Sequence, residues 1–261
     1  MISLVQLLKE VQGTPKAIFL AGSAGGGKSS TYKSNPDFPT QLDNLLPSSY
    51  QVINSDDTYE ELLKASGIGL KQKDFTPDQL SQASKLQAQA RDVTKNKLAK
   101  SIEDKNNIII DGTGAASGPV LKKKQQLEDL GYETLMLMIY VSPLTSLERN
   151  QKRDRSLMPG IVLRTWRDVN KNIETYKQAF GSNFLLINNN PEDANQEFNI
   201  DLLEPFLQAS SATGKPKTPE EQAKSNADKA QLNKDIESMV NQLPEFDSIE
   251  TAKNKINEFV R

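Results

Sequence analysis

The chain has 261 residues, 32 of them basic and 34 acidic, with no cysteine and no histidine. The two zeros exclude disulfide staples, thiolate nucleophiles, Fe–S clusters, Cys or His metal sites and a histidine general base, so any acid–base chemistry falls to Asp, Glu, Lys or Tyr. A net charge of −2 argues against a coat of basic surface for duplex DNA. The longest apolar run, residues 135–141, is far short of the ~20 residues that span a bilayer, and no basic leader with a small-residue cleavage site opens the chain; the expectation is a soluble, cytoplasmic protein without a membrane partner.

In chain order, Leu4, Leu7, Leu8 and Val11 mark one face of a short first helix with Ser3 as its N-cap. Five short apolar runs follow, at 17–21, 51–54, 107–111, 134–142 and 184–188, separated by long polar, helix-compatible stretches. Strands this far apart need crossovers, which predicts an α/β fold with a parallel sheet sandwiched between helices. Residues 77–104, rich in Ala, Gln and Lys without Gly or internal Pro, predict one long helix. Around 210–219 the sequence SSATGKPKTP has the composition of a linker. The predicted organisation is therefore a main domain over 1–208, a linker over 209–219 and a C-terminal helical tail over 220–261.

In that tail Leu232, Ile236, Met239, Val240 and Leu243, then Ile249, Ala252, Ile256, Phe259 and Val260, repeat at helical spacing on either side of Pro244. Two amphipathic helices are expected, docking on the main domain or contacting another protein or a second copy of the chain. With the tail read as an appendage, a chain ending near Gln208 is expected to fold and retain nucleotide binding.

The strongest chemical signal is Gly22-Ser23-Ala24-Gly25-Gly26-Gly27-Lys28-Ser29, which fits G-x-x-x-x-G-K-[ST] and directly follows the first apolar run. It predicts a P-loop NTPase-type sheet. Glycines let successive N–H groups point inward, and the N-terminus of a following helix adds its positive end, forming a cradle for phosphate that continues through Ser30. Lys28 would bridge the β- and γ-phosphates of ATP, and the Ser29 hydroxyl would ligate Mg²⁺.

Ile53-Asn54-Ser55-Asp56-Asp57 closes the second run and puts a carboxylate beside the loop, since ligands of open α/β sheets sit beyond the carboxyl ends of the strands. A kinase acting on a hydroxyl needs a carboxylate there to take the acceptor's proton and orient its oxygen. Asp56 is read as that base and Asp57 as a substrate contact, the alternative being that one of the pair is merely the N-cap of the next helix. Ile108-Ile109-Ile110-Asp111 ends a buried-strand run in a carboxylate, the layout of a Walker B element whose Asp111 holds Mg²⁺, or a strand-terminating turn with Gly112-Thr113-Gly114. Thr113 is a candidate contact to the acceptor.

From Arg149 to Lys171 seven basic residues stand against two acidic ones, a local charge of +5 that leaves −7 elsewhere. That segment is read as built to meet an anion. Arg149, Lys152 and Arg153 fall at i, i+3 and i+4 on one helical face, either solvated or part of a lid whose guanidinium groups neutralise developing γ-phosphate charge. Lys122-Lys123-Lys124 is read as solvated surface.

The stretch from Gly22 to Asn188 resembles the P-loop kinases grouped around bacteriophage polynucleotide kinase and the zeta toxins. Ile53–Asp57 is similar to the strand-end motif that carries their catalytic aspartate, which falls on Asp56. The stretch ERNQKRDRSLMPGIVLRTW, residues 148–166, is similar to the family lid: an arginine, three residues, another arginine, then a Pro and an amphipathic helix. The match implies that Arg149 and Arg153 bind ATP phosphates and that residues 159–171 form the helix behind the lid. Where the polynucleotide kinases carry an arginine three residues after the base, this chain has Tyr59; resemblance to the zeta toxins implies a nucleotide-sugar acceptor instead, and NIIIDGTG is close to their strand motif. The expected activity is transfer of the γ-phosphate of ATP to a hydroxyl of a nucleic acid, a nucleotide or a nucleotide sugar. The rival reading is a nucleotide-binding assembly protein without turnover.

Overall fold

The structure, a computed structural model, describes residues 13–34, 40–71, 74–191 and 218–261. The first helix expected over residues 3–11, and the linker as far as residue 217, lie outside the described residues. Each of the five expected runs is a strand, with ends moved by at most two residues: β1 Lys16–Ala21, β2 Gln51–Ile53, β3 Ile108–Asp111, β4 Glu133–Tyr140 and β5 Phe184–Asn188. They form one sheet in the order β2-β3-β1-β4-β5, parallel throughout, with Leu20 beside Asp111 and Ala21 beside Met138.

The central strands are apolar on both sides, as a parallel sheet covered on both faces requires. Ala17, Phe19 and Ala21 of β1 join Met136, Met138 and Tyr140 of β4 on one face. Ile18 and Leu20 join Leu135, Leu137 and Ile139 on the other. This is the period-2 alternation of a strand applied to two cores at once.

Helices α1 (Ser55–Ala65), α2 (Pro77–Glu103), α3 (Ser117–Asp129), α4 (Pro143–Lys152), α5 (Pro159–Asn170) and α6 (Ile173–Phe180) lie between and beyond the strands. The long helix starts where Thr76 and Gln79 form a reciprocal capping box around Pro77. Its contact with α1 is a separate small core of Tyr59, Leu63, Ile68, Ala83 and Ala90. Trp166 of α5 is fully buried, and its indole N–H donates 2.7 Å to the Val141 carbonyl, fixing α5 beneath the end of β4.

Both tail helices are present, α7 (Pro219–Val240) and α8 (Ile249–Val260), and both dock on the main body. Leu232 and Ile236 of α7 belong to the same core as Trp166, while Ala252, Ile256 and Phe259 of α8 complete the opposite one. Between them Asp247 pairs with the exposed edge of β5: its N–H donates to the Leu186 carbonyl at 2.7 Å and its carboxylate accepts from the Leu186 N–H at 2.8 Å. An edge strand left bare is a template for aggregation, and the tail covers it. A chain ending near Gln208 would lack all of these contacts.

Candidate active site

The loop after β1 turns through positive φ at Gly25 (74°) and Gly27 (93°), where glycine alone is unstrained. A Cβ at Gly25 would stand 2.9 Å from both Arg149 Cβ and the Ser146 carbonyl, so α4 approaches too closely for any side chain there. Three elements hold the loop. The buried Ser146 hydroxyl donates to the Ala24 carbonyl at 2.5 Å, Gly22 N–H donates to the Thr113 carbonyl at 2.9 Å, and the Asn189 amide donates to the Gly26 carbonyl at 2.9 Å. Within the loop Ser23 is buried, whereas Ser29 faces solvent and Ser30 is half-buried.

The α-helix expected after the loop is replaced by a four-residue 3-10 turn, Lys28–Thr31. The Thr31 hydroxyl donates to the Lys28 carbonyl at 2.7 Å, the local side-chain bonding by which Ser and Thr compete with a helical ladder. The cradle therefore rests on the loop glycines and the first N–H groups of that turn, which have no helical partner. Lys28 reaches back over it, donating to the carbonyls of Gly22 (2.7 Å) and Ser23 (3.0 Å). Burial lowers its pKa and the charges of Arg153 and Arg155 lower it further, against the pull of Asp111 and Asp56.

Across the cleft, Asn54 is the N-cap of α1, its side chain accepting from the Asp56 N–H at 2.8 Å. The capping role considered for Asp57 is thus taken by Asn54, and both aspartates stand in the first turn, where the helix dipole favours negative charge. Asp57 forms an ion pair with Lys33 at 2.8 Å. Asp56 is 55% exposed and pairs with Arg155 at 2.7 Å. Asp111, at the end of β3, accepts from the Tyr32 hydroxyl (2.6 Å) and the Asn54 amide (3.0 Å). Burial raises the Asp111 pKa, opposed by the Lys28 charge and the Tyr32 bond; Tyr32 is itself pushed up by burial and by Asp111.

Lys28, Ser29, Ser30, Asp56, Asp57, Asp111, Arg149 and Arg153 all line one cavity of about 890 Å³. Arg149 donates to the carbonyls of Gly25 (3.3 Å) and Asn189 (3.0 Å), and its burial lowers its pKa. Arg153 stands one residue past the end of α4, which stops at Lys152. The candidate residue Thr113 lies instead on a second cavity of about 680 Å³ that shares Asp111 with the first. Its hydroxyl accepts from the Ala115 N–H at 3.3 Å.

Two readings of basic residues need correction. Not all of 149–171 meets the cavity: Arg167 and Lys171 pair with Asp235 of α7 at 3.6 and 2.8 Å, so they serve tail docking. Of the lysine triplet only Lys122 is solvated surface; Lys124 pairs with Glu128 at 2.7 Å, and Lys123 lines the second cavity with its pKa lowered by burial.

Sequence reasoning missed Tyr32, Glu60, Arg155 and Asn189. The partners of the last two lie 95 and 163 residues away in the chain, so no local pattern marks them. Asn54 was findable, because Asn directly before an acidic helix start is a strong N-cap signal. Among the described residues no cluster of three acidic side chains could hold a metal ion alone, and no helix is long and apolar enough to cross a membrane.

Residues 5–190 match the family model described as Zeta toxin. No curated protein matches the chain in sequence. Similar solved structures include the PezAT chromosomal toxin–antitoxin system of Streptococcus pneumoniae, at 17% identity over 87% of this chain and 88% of that one, with a TM-score of 0.44. Another is AvrRxo1-ORF1:-ORF2 with ATP, at 15% identity over 99% and 85% of the two chains, TM-score 0.48. A third is shikimate kinase from Acinetobacter baumannii in complex with shikimate, at 18% identity over 75% and 92%, TM-score 0.36.

Proposed function

The chain belongs to the zeta toxin family, and from that premise we propose that it is a phosphotransferase moving the γ-phosphate of ATP to a hydroxyl group. The observation that carries the reading is the meeting of a loop lysine, Lys28, two arginines, Arg149 and Arg153, and a half-exposed carboxylate, Asp56, around one cavity.

In this reading the loop from Gly22 to Ser30 cradles the phosphates, and Lys28 leaves the loop carbonyls to take the β- and γ-oxygens. Asp56 accepts the proton of the acceptor hydroxyl as its oxygen bonds to the γ-phosphorus; the bond from γ-phosphorus to the bridging oxygen breaks and ADP departs. Arg149, held by the Gly25 and Asn189 carbonyls, and Arg153 neutralise charge on the transferring group. Mg²⁺ fits the all-oxygen donor set of the Ser29 hydroxyl and the Asp111 carboxylate, whose recorded bonds to Tyr32 and Asn54 both use Oδ2 and leave Oδ1 for the ion or its waters. Bound there with ATP, it would neutralise phosphate charge.

The acceptor occupies the side of the cleft formed by Asp56, Asp57 and Asp111 and the adjoining cavity with Thr113. Its hydroxyl belongs to a nucleotide or nucleic acid; the family assignment favours the sugar nucleotide among these. Incubation with γ-labelled ATP and separate pools of oligonucleotides, nucleosides and nucleotide sugars tests this, with label expected in the nucleotide-sugar pool. Tight ATP binding without transfer to any pool would favour a non-catalytic assembly protein. Asp56→Asn should lower kcat by roughly 10²–10⁴, the range for a positioned general base, while Asp57→Asn should have the smaller effect.

A further inference from the structure

One buried cation in the cleft has no task in that scheme. Arg155, in the segment between α4 and α5, is only 9% exposed. It donates from one terminal nitrogen to Asp56 Oδ2 at 2.7 Å and from Nε to Glu60 Oε1 at 2.8 Å. Its guanidinium also lies over the ring of buried Tyr59, 5.9 Å from the centroid. Asp56 and Glu60 are four residues apart on α1 and so share one helical face. The planar fork spans both carboxylates at once, which a lysine ammonium cannot do with fixed geometry.

Holding α1 in the fold does not explain this network. The helix is already fastened to α2 through Tyr59, Leu63, Ala83 and Ala90, and a buried ion pair is weak evidence of net stabilisation. A free aspartate at a helix start can rotate about two side-chain bonds, whereas in-line transfer needs its acceptor oxygen fixed. With Oδ2 occupied and the side chain still 55% exposed, Asp56 has Oδ1 without a partner among the described residues and open to a substrate.

We propose that Arg155 is the positioning residue of Asp56: anchored by Glu60, it fixes the orientation of the base and makes a productive carboxylate depend on docking of the segment between α4 and α5. The inference rests on Asp56 being the base.

The test uses the full chain and γ-labelled ATP with the nucleotide-sugar pool, comparing Arg155→Ala, Arg155→Lys, Glu60→Gln, Asp56→Asn and the double variant Arg155→Ala/Asp56→Asn. Arg155→Ala should lower kcat about 10- to 100-fold, the scale of a misplaced catalytic group, and leave the KM for ATP within about threefold. Arg155→Lys should recover only part of that loss. Since Arg155 acts through Asp56, adding Arg155→Ala to Asp56→Asn should cost less than about threefold more. Full additivity, or a KM for ATP that rises as much as kcat falls, overturns the proposal and makes Arg155 a phosphate ligand or a purely structural residue. If Arg155→Ala fails to fold, Glu60→Gln carries the test, with a smaller loss in kcat and the same non-additivity expected. A silent Asp56→Asn would remove the base itself, an outcome distinct from a silent Arg155→Ala beside a crippled Asp56→Asn.

Discussion

The side-chain amide of Asn189, one residue past β5, donates to the Gly26 carbonyl at 2.9 Å, while the backbone carbonyl of the same residue accepts from Arg149 at 3.0 Å. Asn189 is almost fully buried, so the end of the last strand of the sheet holds the first loop and Arg149 together. Asn189→Ala leaves the Gly26 carbonyl without that donor, which costs about 1–3 kcal/mol for a buried polar group. The expected outcome is a lower melting temperature and ATP binding weakened about tenfold, read by calorimetric titration.

Lys28→Ala should separate binding chemistry from folding. The lysine donates to loop carbonyls, and burial holds its pKa below the ordinary range, so its charge is kept at a cost to the fold. Phosphate transfer is expected to be abolished with the melting temperature unchanged or slightly raised. Turnover at the original rate would remove the loop from the site.

What was legible in the sequence follows from how local each cause is. A strand covered on both faces must be apolar at every position, so β1, β3 and β4 stood out as runs, and the loop motif is defined by contiguous residues. The capping box at Thr76 and Gln79 and the breaks at Pro159 and Pro244 are equally local. Arg155 was visible only as one charge among seven, because its meaning depends on Asp56 and Glu60 arriving from a different crossover. Arg167 and Lys171 misled for the same reason: their partner, Asp235, lies beyond the expected linker. The helix expected after the loop failed on a local competition, the hydroxyl of Thr31 bonding back to the turn.

Asp235 gives the α5–α7 contact a definite pH dependence. Bonds from Lys171 and Gln231 hold its carboxyl below the ordinary carboxylate range. A lowered folded value means that stabilisation is fully present above the unfolded value of about 3.9 and is lost as pH falls through the lower folded value. Wild type should exceed Asp235→Asn in stability by about 1 kcal/mol or less at pH 6, as expected for a pair near the surface, and the difference should be smaller at about pH 3. Urea denaturation at the two pH values, repeated in high salt to screen the pair, measures it.

The tail provides the sharpest structural prediction. Leu232, Ile236, Ile256 and Phe259 are each at least nine-tenths buried, and full burial of such side chains is worth about 1.5–3 kcal/mol apiece. Together they contribute about 6–12 kcal/mol, comparable to the whole stability of an ordinary domain at about 5–15 kcal/mol. A chain ended at Gln208 would lose them from the core that contains Trp166 on one face and from the core that contains Ile18 on the other, and would uncover the edge of β5 at Leu186. It should be recovered as aggregate or as a species without a cooperative melt. Ile236→Ala and Ile256→Ala in the full chain should each cost about 2–5 kcal/mol, one in each core. They share no cluster, so the double variant should lose nearly the sum. A soluble 1–208 fragment that melts cooperatively and binds ATP like the whole chain would make α7 and α8 an appendage after all, and their burial would then report docking without dependence.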